Sequence, residues 1–80
     1  MPTSLTIGPY RFFFYAGDRD EPPHTHVQRG AAEAKFWLAP PRLAWNRGFR
    51  GAELRRLERI TAKNEARLME AWNEYFGMDQ

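Results

Sequence analysis

Eighty residues leave room for one hydrophobic core, so the chain reads as a single domain over 1–80: one sheet with one or two helices across it. Hydrophobic residues at 42 %, aromatics at 15 % and a net charge of +2 exclude a disordered chain, and the charge is too small for a strongly basic nucleic-acid-binding domain. The absence of cysteine removes a disulfide framework, a thiolate metal site and a cysteine nucleophile, and it points to the cytoplasm.

The opening "MPTSLTIGPY" lacks the basic start and apolar run of a leader, and no apolar stretch approaches the roughly 20 residues of a membrane span. A soluble protein is expected. Ten of the twelve basic residues are arginine, whose planar fork suits phosphate and carboxylate. The basic excess lies in residues 1–50. It favours an anionic partner slightly, against the simpler view that the charges only solvate the surface.

Gly8-Pro9 marks a turn before "YRFFFY", Tyr10 to Tyr15, an aromatic strand with apolar side chains on both faces. Such a strand is central, or is covered by a helix on one side and by a loop or partner on the other. "AGDRDEPP" is a loop by its Gly, Asp and Pro content, and Pro23 holds Pro22 extended so that the chain reaches His24 stretched out.

"HTHVQ" and "EAKFWL" form two strands around a turn at Arg29-Gly30-Ala31. Alternation puts His24, His26 and Gln28 on one face and Thr25 and Val27 on the other. With Val27, Phe36 and Leu38 toward the core, the histidines share the outer face with Glu33, Lys35 and Trp37. A turn at Arg29-Gly30 sets His26 opposite Glu33 and His24 opposite Lys35; a turn at Gly30-Ala31 sets them opposite Lys35 and Trp37.

Pro40-Pro41 ends the second of these strands, Leu43 to Trp45 reads as a short further one, and "NRGFRG" is a loop. Ala52 to Phe76 has neither Gly nor Pro and reads as one long helix, with Leu54, Leu57, Thr61, Asn64, Leu68, Trp72 and Tyr75 on its buried stripe and Phe76 at the edge. Gly77 stops it. At about 37 Å such a helix exceeds the breadth of an 80-residue globule, so it either overhangs or bends or breaks between Thr61 and Asn64, and a single helix kinked there is the favoured reading.

His24 and His26 are the only histidines, and their face admits three readings. As base and acid, imidazoles suit phosphodiester cleavage by an RNA 2′-hydroxyl, with Lys35 and Arg29 on the phosphate. That site needs no metal and no other cofactor. As metal ligands, two imidazoles at i and i+2 need a third donor, which without cysteine must be a carboxylate: Asp18, Asp20, Glu21 or Glu33. Lys35 on the same face counts against a cation. As structural groups, they pin the loop and supply the polar side of a strand. Trp37 on that face marks a contact surface.

"RFFFY", "EPPHTHV", "EAKFWL", the "GF" before the helix, "EL" at its start and "EAWNEYFG" at its end together resemble a small bacterial family catalogued as domain of unknown function 4160. Thr25 stands where members often carry an aliphatic residue. The resemblance covers about Thr6 to Gly77 and marks Pro22, Pro23, His24 and His26 as motif positions. It implies a neighbouring small partner protein, domain of unknown function 2442, in a toxin and antitoxin arrangement, with this chain as the toxin-like member acting on RNA or translation.

The reading is therefore an α+β domain, with an antiparallel sheet of three to four strands and a long C-terminal helix on one face. Its expected function is that of a toxin-like component, a metal-independent ribonuclease using His24, His26 and Lys35, with Arg29, Glu33 and Trp37 in binding. The contrasting function is a non-catalytic protein-binding module that docks through Trp37, Trp45, Phe49 and Arg47. In the ribonuclease reading the histidines are dispensable for folding.

Overall fold

The structure, a computed structural model, describes residues 3–77, with backbone only for residues 3 and 4. Five antiparallel strands lie side by side in chain order: β1 (Thr3–Ile7), β2 (Tyr10–Phe13), β3 (His24–Arg29), β4 (Ala32–Leu38) and β5 (Pro41–Arg47). The expected three to four become five because the turn at Gly8-Pro9 joins Tyr10–Phe13 to a further strand before it, with Ile7 opposite Tyr10. Leu43 to Trp45 is the centre of a longer β5.

The turn between β3 and β4 is Gly30-Ala31, so His26 lies opposite Lys35 and His24 opposite Trp37. Gly30 supplies φ +59°, a left-handed backbone that a side chain resists. Phe12, Val27, Ala34, Phe36 and Leu38 face the helices and are buried with Leu57 and Leu68. Each of the larger side chains, Ala34 apart, contributes about 1.5–3 kcal/mol by leaving water.

The expected long helix is two helices, α1 (Gly51–Lys63) and α2 (Glu65–Phe76). Asn64 interrupts them with φ −109° and ψ 18°. Its side-chain amide donates to the Ile60 carbonyl at 2.9 Å, in competition with the backbone ladder. The stripe otherwise holds: Leu57, Thr61, Leu68 and Trp72 are buried, but Tyr75 is 49 % exposed. Gly77 ends α2 as expected, its amide donating to Asn73 O at 2.9 Å.

Arg29 and Glu53 fasten α1 to the sheet. The guanidinium of Arg29 donates to both Glu53 carboxylate oxygens at 2.8 Å, and Tyr10 OH donates to the same group at 2.7 Å. These bonds from Arg29 and Tyr10 hold the Glu53 carboxyl below its ordinary value. The stabilisation is therefore present above the ordinary glutamate range and disappears as pH falls through the lower folded value. Glu53→Gln should lower the melting temperature by a few degrees near neutral pH, and the gap from the parent protein should close in acid.

A second check concerns the loop from β5 to α1. Gly48 has φ +100°, and a Cβ there would meet the Cα and Cβ of Ala32 at 3.2 Å. Gly48→Ala should cost about 1–3 kcal/mol in denaturant unfolding. Gly17→Ala, with open space and an ordinary φ, should stay within about 0.5 kcal/mol of the parent.

Candidate functional site

The loop read from "AGDRDEPP" folds as a 3-10 turn over Ala16–Asp20. The Tyr15 amide donates to Asp18 Oδ2 at 2.8 Å, and the Asp18 amide donates back to Tyr15 O at 3.0 Å, so the acidic side chain is fixed from both ends. Arg19 donates to the Phe76 carbonyl at 2.8 Å and ties this turn to the end of α2. Asp18 is thereby turned back onto the sheet, above β3.

The two imidazoles leave the same face of β3, with ring centroids 5.2 Å apart. This is the arrangement expected from alternation, but the face is covered. His24 is 1 % exposed and His26 5 %. Phe13 stacks on His26 at 5.4 Å, Tyr15 meets it edge-on at 4.7 Å, and Trp37 and Trp72 flank His24 at 5.7 and 4.9 Å. The aromatic strand read from "YRFFFY" is thus covered on one side by helices and on the other by the turn.

Three carboxylates surround the rings. Asp18 Oδ2 lies 2.9 Å from His24 Nε2 and 3.2 Å from His26 Nε2. Glu33 Oε2 lies 3.3 Å from His26 Nδ1, and Glu21 Oε1 lies 3.7 Å from His24 Nδ1. His24 Nδ1 is also 2.9 Å from the Pro22 carbonyl. A carbonyl can only accept, so His24 carries a proton on Nδ1 and directs Nε2 at Asp18.

Burial depresses His26, opposed by Asp18, so neutral imidazole is favoured near pH 7. Burial acts to raise the Asp18 carboxyl, yet the Tyr15 amide and the two imidazoles outweigh it and hold Asp18 below the usual range. Burial and the neighbouring Glu33, whose Oε2 accepts from Tyr15 OH at 3.2 Å, raise the Tyr15 hydroxyl.

The cations assigned to phosphate are placed otherwise. Lys35 is buried, paired with Glu21 and held 4.6 Å over the Trp37 ring. Arg29 belongs to the opposite, helix-facing set of β3 and is committed to Glu53. Glu33 and Trp37 do share the histidine face; Glu33 is also met by Arg47 at 3.4 Å. Two shielded imidazoles, three carboxylates and no uncommitted cation among these residues are poorly arranged for an incoming phosphodiester.

Asp18 is the residue that sequence reasoning placed only among four candidate acids. Asp20 and Asp18 are equivalent by spacing, and only the 3-10 turn separates them. Outside the covered centre, a cleft of about 380 Å³ is lined by Pro22, Pro23, Trp37, Ala39 and Arg42.

The packing also revises the expectation that the fold tolerates loss of both histidines. His24→Ala removes a fully buried ring from between Trp37 and Trp72, which should cost about 2–4 kcal/mol in chemical denaturation. His24→Gln, closer in volume and able to keep a donor, should cost less.

Among the described residues no helix is long and apolar enough to cross a membrane. No curated protein and no solved structure matches the chain. One family model does, over residues 10–73, from the aromatic strand through the proline–histidine motif to the last turns of α2. The chain therefore belongs to the family described as domain of unknown function, DUF4160.

Proposed function

We propose that this chain is the toxin-like member of a two-gene bacterial module in the cytoplasm, and that it works by docking a small protein of the domain of unknown function 2442 family. The observation that carries the docking role is β5. It is an edge strand of the sheet, and Arg42, Leu43, Trp45 and Arg47 are all exposed along it.

An edge strand presents unpaired main-chain groups to an incoming strand, and aromatic and arginine side chains are the usual anchors of an interface. Trp45 is 39 % and Leu43 40 % exposed. The cleft at Trp37 and Arg42 continues this surface on the histidine side and offers a seat for one partner side chain. Phe49, at 5 % exposure, packs instead inside the domain against Tyr10. RNA or translation remains the downstream target that the family resemblance implies; the covered histidines and committed cations favour recognition through a partner over direct cleavage.

Co-expression with the neighbouring family-2442 protein should yield a complex through size-exclusion chromatography. Trp45→Ala should weaken it by about 30-fold or more, the scale of an interface anchor, without moving the melting temperature much. Expression of this chain alone should slow growth, and the partner should relieve it. Absence of a complex, or of any growth effect, refutes the proposal. Purified chain that cleaves RNA in the presence of chelator would restore the acid–base reading.

A further inference from the structure

We propose that Asp18, His24 and His26 form a binding site for one divalent transition-metal ion of the zinc class. One donor atom from each of the three lies within 4.8 Å of the others. The separations from Asp18 Oδ2 to the two Nε2 atoms are 2.9 and 3.2 Å. Donors about 2.0–2.1 Å from a common ion stand about 2.9 Å apart in octahedral and about 3.3 Å apart in tetrahedral geometry. These two separations are those of donors around one centre, with Asp18 Oδ2 shared between the two rings.

The second observation is the state of the buried nitrogens. Nε2 of His24 and Nδ1 of His26 are buried with no hydrogen-bond partner, and the His24 side chain is 0 % exposed. His24 Nε2 is 2.9 Å from Asp18 Oδ2 with no hydrogen bond between them, and with the Nδ1 proton held by the Pro22 carbonyl it is the nitrogen left to bind a cation. A cation between them is bonded by both the ring nitrogen and the carboxylate.

The same ion settles His26. With Nε2 bound to metal, the proton belongs on Nδ1, which faces Glu33 Oε2 at 3.3 Å. His24 has the corresponding support from the Pro22 carbonyl at 2.9 Å. Imidazole ligands characteristically direct the second nitrogen to a carboxylate or carbonyl in this way.

Two objections visible in the sequence lose their force. The third ligand that a His-x-His pair lacks is Asp18, brought over by the 3-10 turn. Lys35, expected to repel a cation, is neutralised by Glu21. Two imidazoles with one carboxylate suit zinc or ferrous iron over magnesium or calcium, which prefer oxygen alone.

The experiment uses the full chain without a polyhistidine tag, titrated calorimetrically with zinc chloride and, separately, with cobalt(II) read by visible absorption. One ion per chain is expected, with a rise in melting temperature at saturating zinc. Asp18→Asn, which keeps the acceptor for the Tyr15 amide, and His26→Gln should each weaken zinc binding by more than about 100-fold, since even outer-shell losses cost 10–100-fold. Asp20→Asn should bind like the parent.

If His26→Gln does not fold, as judged by circular dichroism, Asp18→Asn decides, because it leaves both rings in place. No binding to the parent chain with zinc in large excess overturns the proposal. So does equal binding by a folded Asp18→Asn variant. Neither result bears on the β5 docking surface, whose test needs no metal.

Discussion

The register of β3 against β4 is the constraint on which the rest depends. Because side chains alternate, a slip of β3 by one residue would carry Val27 away from the helices and send the histidines into the core. Gly30 prevents it by closing the hairpin with two residues, Gly30 and Ala31. From that one turn follow the apolar floor under α1 and α2 and the polar face where His24, His26, Glu33 and Lys35 meet. Helix docking and the candidate centre are consequences of the same pairing.

That polar face is not a solvent face. A small sheet with helices on one side commonly leaves its other side wet. Here the 3-10 turn closes over the middle of it, and the aromatic rings of Phe13, Tyr15 and Trp37 fill the remaining gaps around the imidazoles. Charged groups buried there are compensated pairwise: Lys35 by Glu21, Glu33 by Arg47 and the Tyr15 hydroxyl. Removing one partner from such a network leaves the other exposed to the desolvation penalty, so the residues act as a unit.

The parts of this arrangement legible in the sequence are those set by short periodicities. Alternation placed His24 and His26 together with Glu33, Lys35 and Trp37, and the two candidate turns bracketed the observed register. The helical stripe was legible through Trp72, and the mid-stripe polar pair Thr61 and Asn64 marked where the helix breaks. β1 was missed because "SLTI" is short and its pairing with β2 is visible only once Gly8-Pro9 is understood as a hairpin turn. Two features were beyond pattern: which acid of "GDRDE" folds back, and that Arg29 serves Glu53, 24 residues onward. Both depend on tertiary contacts that no local spacing encodes.

Asn64 divides what would be one rigid rod into two segments that share β4 and diverge from it: α1 lies against β5 as well, and α2 reaches β1. The end of α2 also carries Trp72 beside His24 and the Phe76 carbonyl that holds Arg19. One helix therefore borders the exposed edge strand and the other the covered imidazoles, a partition that a single straight helix would not give.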